Sequence, residues 1–71
     1  MKHLRVTLDD EDKSVRHFVT TDENAAVVMV DFKEGDMIAI EDHTFSGDTT
    51  VRESITIIRV SRIVAIEIRN R

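Results

Sequence analysis

From Ile55 to Arg69 the chain reads ITIIRVSRIVAIEIR, a run rich in β-branched residues and interrupted only near Val60 and Ser61. Such side chains suit a pleated surface, so the run is predicted to form two strands, 55–60 and 63–69, joined by a tight turn flanked by Arg59 and Arg62. In the final strand, Val64, Ile66 and Ile68 should share one face, with Ile63, Ala65, Glu67 and Arg69 on the other. Both strands carry apolar residues on both faces, as at Ile57 and Ile58. A strand of that kind requires cover on both sides. A chain of 71 residues has little to cover it with, since folding at this size hides only about 60% of the unfolded surface. A second copy of the chain is the simplest cover, so a homo-oligomer is expected.

The N-terminal half supplies a hairpin and one helix. In HLRVTL, Leu4, Val6 and Leu8 alternate with His3, Arg5 and Thr7, the pattern of a half-buried strand. The polar DDEDKS makes the turn, and VRHFVTT returns as a second strand, with Val15, His17 and Val19 on one side and Phe18 on the other. The valines of TTDENAAVVMVDFKEGD favour a strand, but its punctuation favours a helix over 22–34. Thr20 and Glu23 have capping-box spacing, Asp22 and Glu23 suit the positive helix start, and Gly35 stands where a left-handed cap would fall. Ala25, Val28, Met29 and Phe32 then form one stripe, leaving Val27 and Val30 to flank it or meet another subunit. MIAIED follows as a strand with Ile38 and Ile40 inward, or Met37 and Ala39 if the register slips, and HTFSGDTTVRES reads as a polar loop or an irregular hairpin arm.

The expected fold is therefore α+β, a single domain over 1–71. It is a small five-stranded, mainly antiparallel sheet or partial barrel with one helix, in the order β-β-α-β-β-β.

Composition narrows the function. Without Cys there are no disulfides, thiolate catalysis or Cys-based zinc sites. The first residues contain no long apolar run of the signal-peptide kind, and no stretch reaches the roughly 18 to 20 apolar residues of a membrane span. A cytoplasmic protein is expected, in the host cytoplasm for a viral chain. A net charge of −4 argues against a general nucleic-acid coat, so no DNA partner is expected. Three Phe with no Tyr or Trp cannot make a broad base-stacking platform.

Chemistry-bearing residues are few. His3, His17 and His43 lack HxH or HxxxH spacing; pairing in the first hairpin can bring His3 toward the end of the second strand, and the pattern does not fix whether it meets His17. Glu41 and Asp42 beside His43 are the nearest thing to a ligand set. The acidic run Asp9–Asp12 lacks the glycine and distal Glu of a calcium loop and reads as a solvated turn. With only Gly35 and Gly47 there is neither a nucleophile elbow nor a phosphate loop. No enzyme, cofactor or metal is expected.

The arginines carry more. Arg5 and Arg16 lie on the hairpin, and Arg59, Arg62 and Arg69 on the last two strands. A guanidinium held on a strand binds phosphate or carboxylate through paired hydrogen bonds. These five are the candidate ligand-binding residues, the alternative for each being an ion pair with one of fourteen Asp and Glu residues. The leading expectation is a non-enzymatic homo-oligomer that sequesters a small anionic, nucleotide-derived ligand between subunits. The alternative is an inhibitor or adaptor whose acidic surface docks on a protein target.

Two pieces also resemble Sm-like RNA-binding proteins. VMVDFKEG looks like their first strand with its glycine, and IIRVSRIVAI resembles their second motif, with Val60 where that motif has glycine. The resemblance implies a hexameric or heptameric ring with Arg59 contacting RNA at the pore. The general build is similar in style to small proteins of bacteria and their phages, which implies an inhibitor or ligand sponge working as a multimer.

Overall fold

Alternation in the first eight residues sets the centre of the molecule. The computed structural model describes residues 1–71, apart from the side chain of Ser46. Strand β1 (Lys2–Leu8) buries Leu4 and Val6 completely and pairs antiparallel on both sides, with β2 (Val15–Thr20) and with β5 (Ile63–Asn70). Opposite Leu4 stand Phe18 on β2 and Ile68 on β5, so these residues meet on the inner face. The turn between β1 and β2 is tied by Leu8 N–H to Ser14 O (2.8 Å) and by Ser14 N–H to Asp10 Oδ1 (2.9 Å), with Lys13 in the left-handed region at φ 52°.

The alternation expected for β5 breaks at one point. Thr7 pairs with Ala65 but Leu8 pairs with Ile63, leaving Val64 as the extra residue of a bulge. The extra residue resets the facing. Ile63, Ile66 and Ile68 all serve the core, and Val64 is exposed.

Helix α1 (Asp22–Glu34) forms over the expected residues, but both of its ends differ from expectation. The N-cap is Thr21, whose hydroxyl accepts from Asn24 N–H at 3.0 Å. Thr20 cannot cap because it ends β2 on the inner face, fully buried, where its hydroxyl donates to Asn24 Oδ1 (2.9 Å). At the other end Gly35 is extended, not left-handed. Its N–H donates to Asp31 O at 2.7 Å, and a Cβ there would stand 3.0 Å from that oxygen. Glycine is needed for close approach. Ala25 and Val28 are buried and Phe32 packs against the core, while Met29, Val27 and Val30 are exposed. This helix occupies the segment that resembles the first Sm strand, so that half of the resemblance fails.

Strands β3 (Met37–Ser46) and β4 (Thr49–Arg59) form a long antiparallel hairpin, turning at Gly47 (φ 63°). The polar stretch after Glu41 is thus a hairpin arm, with a bulge where Asp42 pairs with Ser54 and His43 with Arg52, leaving Glu53 unmatched. Arg71 lies over the Phe45 ring at 4.3 Å and ties the arm to the end of β5. A 3-10 turn at Val60–Arg62 leads from β4 into β5, close to the predicted break.

The five strands make two ladders, β2-β1-β5 and β3-β4. They are joined by the chain, by α1 packing on β3, and by Val19 N–H donating to Asp42 Oδ1 (3.2 Å). Asn24 completes the seam. Its amide donates to Ala39 O (3.2 Å) and accepts from Glu41 N–H (3.1 Å), so one side chain stands in for a neighbouring strand. Leu4, Val6, Phe18, Ala25, Val28, Ile38, Ile40 and Ile63 fill the space between. This is the expected small α+β fold. Its accessible surface, 4962 Å², exceeds the roughly 4,500 Å² of a compact 8.1 kDa monomer, and the outer face of the hairpin is the main exposed apolar strand surface.

Candidate functional site

The outer face of the three-stranded sheet follows from the register. Cross-strand partners share a face, so the rungs opposite the core read His17–Arg5–Glu67 and Val19–His3–Arg69. His3 and His17 sit on neighbouring rungs, a diagonal that long side chains span. Here they meet: His3 Nε2 lies 3.0 Å from His17 Nδ1, with the rings stacked at 5.1 Å between centroids and 22° between planes. A neutral imidazole has one N–H and one lone pair, so one ring donates to the other. The sequence pattern left this contact open, and the strand register decides it. Once Leu4 faces Phe18, the diagonal follows.

Arg5 and Arg69 flank this pair. Glu67 bonds Arg69 through Nε. Arg5 enters no ion pair or hydrogen bond among the described residues. Two guanidiniums and two imidazoles thus occupy one exposed surface, with one carboxylate among them.

The other three predicted arginines lie elsewhere. Arg59 and Arg62 line a shallow cleft of about 310 Å³ with Leu8, Asp9, Asp10, Ile57 and Ile58. Its acidic side is already engaged. Lys13 bonds Asp9 (2.8 Å) and holds its carboxyl below the usual range, with Arg62 adding to the effect. Asp10 is lowered by its bonds from Ser14. Arg16 pairs in register with Val6 and so stands on the opposite face from Arg5, exposed near the start of β2. The five arginines therefore form two groups and one outlier.

His43 is not part of either group. Its side chain is 10% exposed, its Nε2 lies 3.5 Å from Glu41 Oε1, and neither ring nitrogen makes a hydrogen bond. Asp42 turns away to Val19 N–H. Among the described residues no three His, Asp or Glu side chains could hold a metal ion, and no helix is long and apolar enough to cross a membrane. Compared with protein families, curated proteins and solved structures, the chain matches none.

Proposed function

We propose that this protein is a non-catalytic binding protein for a small phosphate-bearing anion, taken up on the outer face of β2-β1-β5 by Arg5, Arg69, His3 and His17. The observation that carries this reading is the 3.0 Å contact of the two imidazoles, flanked in register by two guanidiniums. Guanidinium and imidazole N–H groups are donors suited to phosphate oxygens. The surface is open, without the water-excluding enclosure that favours chemistry on a bound ligand, and so suits binding. The expected location between subunits gives way to an open sheet face, because the apolar surface that calls for a second copy lies on the hairpin.

Titration with pyrophosphate, followed by NMR of the histidine rings, tests the reading. Resonances of His3 and His17 should move while those of His43 stay, and Arg5→Ala should weaken binding about tenfold, the loss of one charge-assisted contact. Unmoved His3 and His17 resonances at ~1 mM pyrophosphate, a concentration that detects even weak binding, would sink it.

A further inference from the structure

The outer face of the β3–β4 hairpin has three rungs before its bulge: Met37 with Arg59, Ala39 with Ile57, and Glu41 with Ile55. Apolar side chains dominate it. Ile57 is 65% exposed, Met37 54% and Ile55 50%, and an exposed apolar patch rimmed by charge marks a candidate interaction surface. Charge marks its two ends. Arg59 closes one end with no ion pair among the described residues. At the other end Glu41 and Glu23 line a cleft of about 430 Å³ whose apolar side is Val27, Ala39 and Ile55. Two full negative charges there outweigh the roughly half positive charge of the helix start. The cleft is built for a cation on an apolar stem.

We infer that the occupant is Arg59 of a second copy, and that the chain forms a two-fold dimer through this hairpin face. Aligned packing of two sheets about a two-fold axis through the Ala39–Ile57 rung reverses one hairpin against the other. The first rung of one copy then lies over the third rung of its mate. Arg59 enters the Glu41–Glu23 end of the other copy, and the reciprocal contact forms by symmetry. Ile57 meets Ile57 at the axis, and Met37 and Ile55 fill the space between. Val27 on α1, 54% exposed and on the wall of the same cleft, extends the apolar strip beyond the two strands. The pairing is specific because a parallel alignment would set Arg59 against Met37, leaving Glu23 unpaired and Glu41 with only the His43 ring 3.5 Å away. The surface is separate from the imidazole–guanidinium face, so the inference goes beyond the binding reading and stands or falls apart from it.

Sedimentation equilibrium over a concentration series tests the dimer, with far-UV circular dichroism confirming that each variant folds. The wild type should show twice the 8.1 kDa chain mass. Arg59→Glu and Glu41→Arg should each weaken association at least about tenfold, as like charges face each other. The double change Arg59→Glu with Glu41→Arg should restore association to within a few-fold of the wild type. Ile57→Lys, at a position that contributes nothing to the chain's own core, gives an independent loss of dimer. A monomer throughout, an assembly indifferent to the single changes, or a double variant as weak as the singles overturns the proposal.

Discussion

The two ladders of this molecule use the same alternation and clothe their outer faces in opposite ways. In β2-β1-β5 the outer face carries His3, Arg5, His17, Glu67 and Arg69, with Val15 and Val19 among them, a mainly polar surface. In β3–β4 they are Met37, Ala39, Ile55 and Ile57, with charge only at the ends. The inner faces are alike: Leu4 and Val6 on one ladder and Ile38 and Ile40 on the other are fully buried. Folding within one chain therefore accounts for both inner faces, while the outer face of β3–β4 stays apolar and exposed.

The comparison breaks first at the core. Leu4→Ala or Ile38→Ala should cost about 2–5 kcal/mol in urea unfolding, a large share of the roughly 4–10 kcal/mol that a domain of this length commands. Ile57→Ala, by contrast, should shift the unfolding of the dilute chain by less than about 0.5 kcal/mol while weakening self-association. Equal losses at Ile38 and Ile57 would erase the distinction between inner and outer faces.

Next comes the seam. Asn24→Ala leaves Ala39 O and Glu41 N–H without their partner and should cost about 1–3 kcal/mol. Hydrogen exchange should accelerate at the Glu41 amide ahead of the β1 amides. Unchanged protection there would show that the two ladders hold together without this side chain. At the helix start, Thr21→Ala should cost about 1 kcal/mol through loss of the cap, read from the thermal midpoint.

The smallest effect is electrostatic and belongs to the β1–β2 turn. The Asp9 and Asp10 carboxyls are held below the ordinary aspartate range by their bonds from Lys13 and Ser14, so the unfolded chain binds more protons in acid. Their contribution is present above the unfolded carboxylate pKa and is lost as pH falls through the depressed values. Lys13→Ala removes the first cause of the Asp9 shift, and the acid limb of a stability–pH curve should become shallower. An unchanged limb would mean that the Lys13–Asp9 pair has no weight in solution.

Much of the fold was legible in local pattern. Alternation in HLRVTL and MIAIED placed Leu4, Val6, Ile38 and Ile40 inward, because the two-residue period of a strand admits only two facings. The helix could be read from the acidic residues at its start and the glycine after its end, against the pull of its valines. What misled was a local rule applied where tertiary packing had already claimed the residue. Thr20 satisfied capping-box spacing, yet β2 had turned it into the core. Gly35 sat where a left-handed cap belongs, yet its role is clearance from Asp31 O. The facing of β5 could not be read because a single unpaired residue, Val64, reverses parity without leaving any mark in the pattern. Among the candidate site residues, types were legible and neighbours were not: the five arginines separate by strand register, and the histidine contact is a diagonal between two strands.

By itself the amino-acid sequence determined which residues are strand-forming, where the chain turns, and that the last strands carry apolar residues on both faces. Those properties are local or additive, set by side-chain shape, period and area. Only the tertiary structure decided which surface is left uncovered and which charges stand beside it. Arg59 and Glu41 are brought two rungs apart on one face by hairpin register, His3 and His17 are brought into contact by the pairing of Leu4 with Phe18, and Asn24 reaches β3 only once α1 has docked. Each is a juxtaposition of residues distant along the chain, fixed by the requirement that a few large side chains share one core.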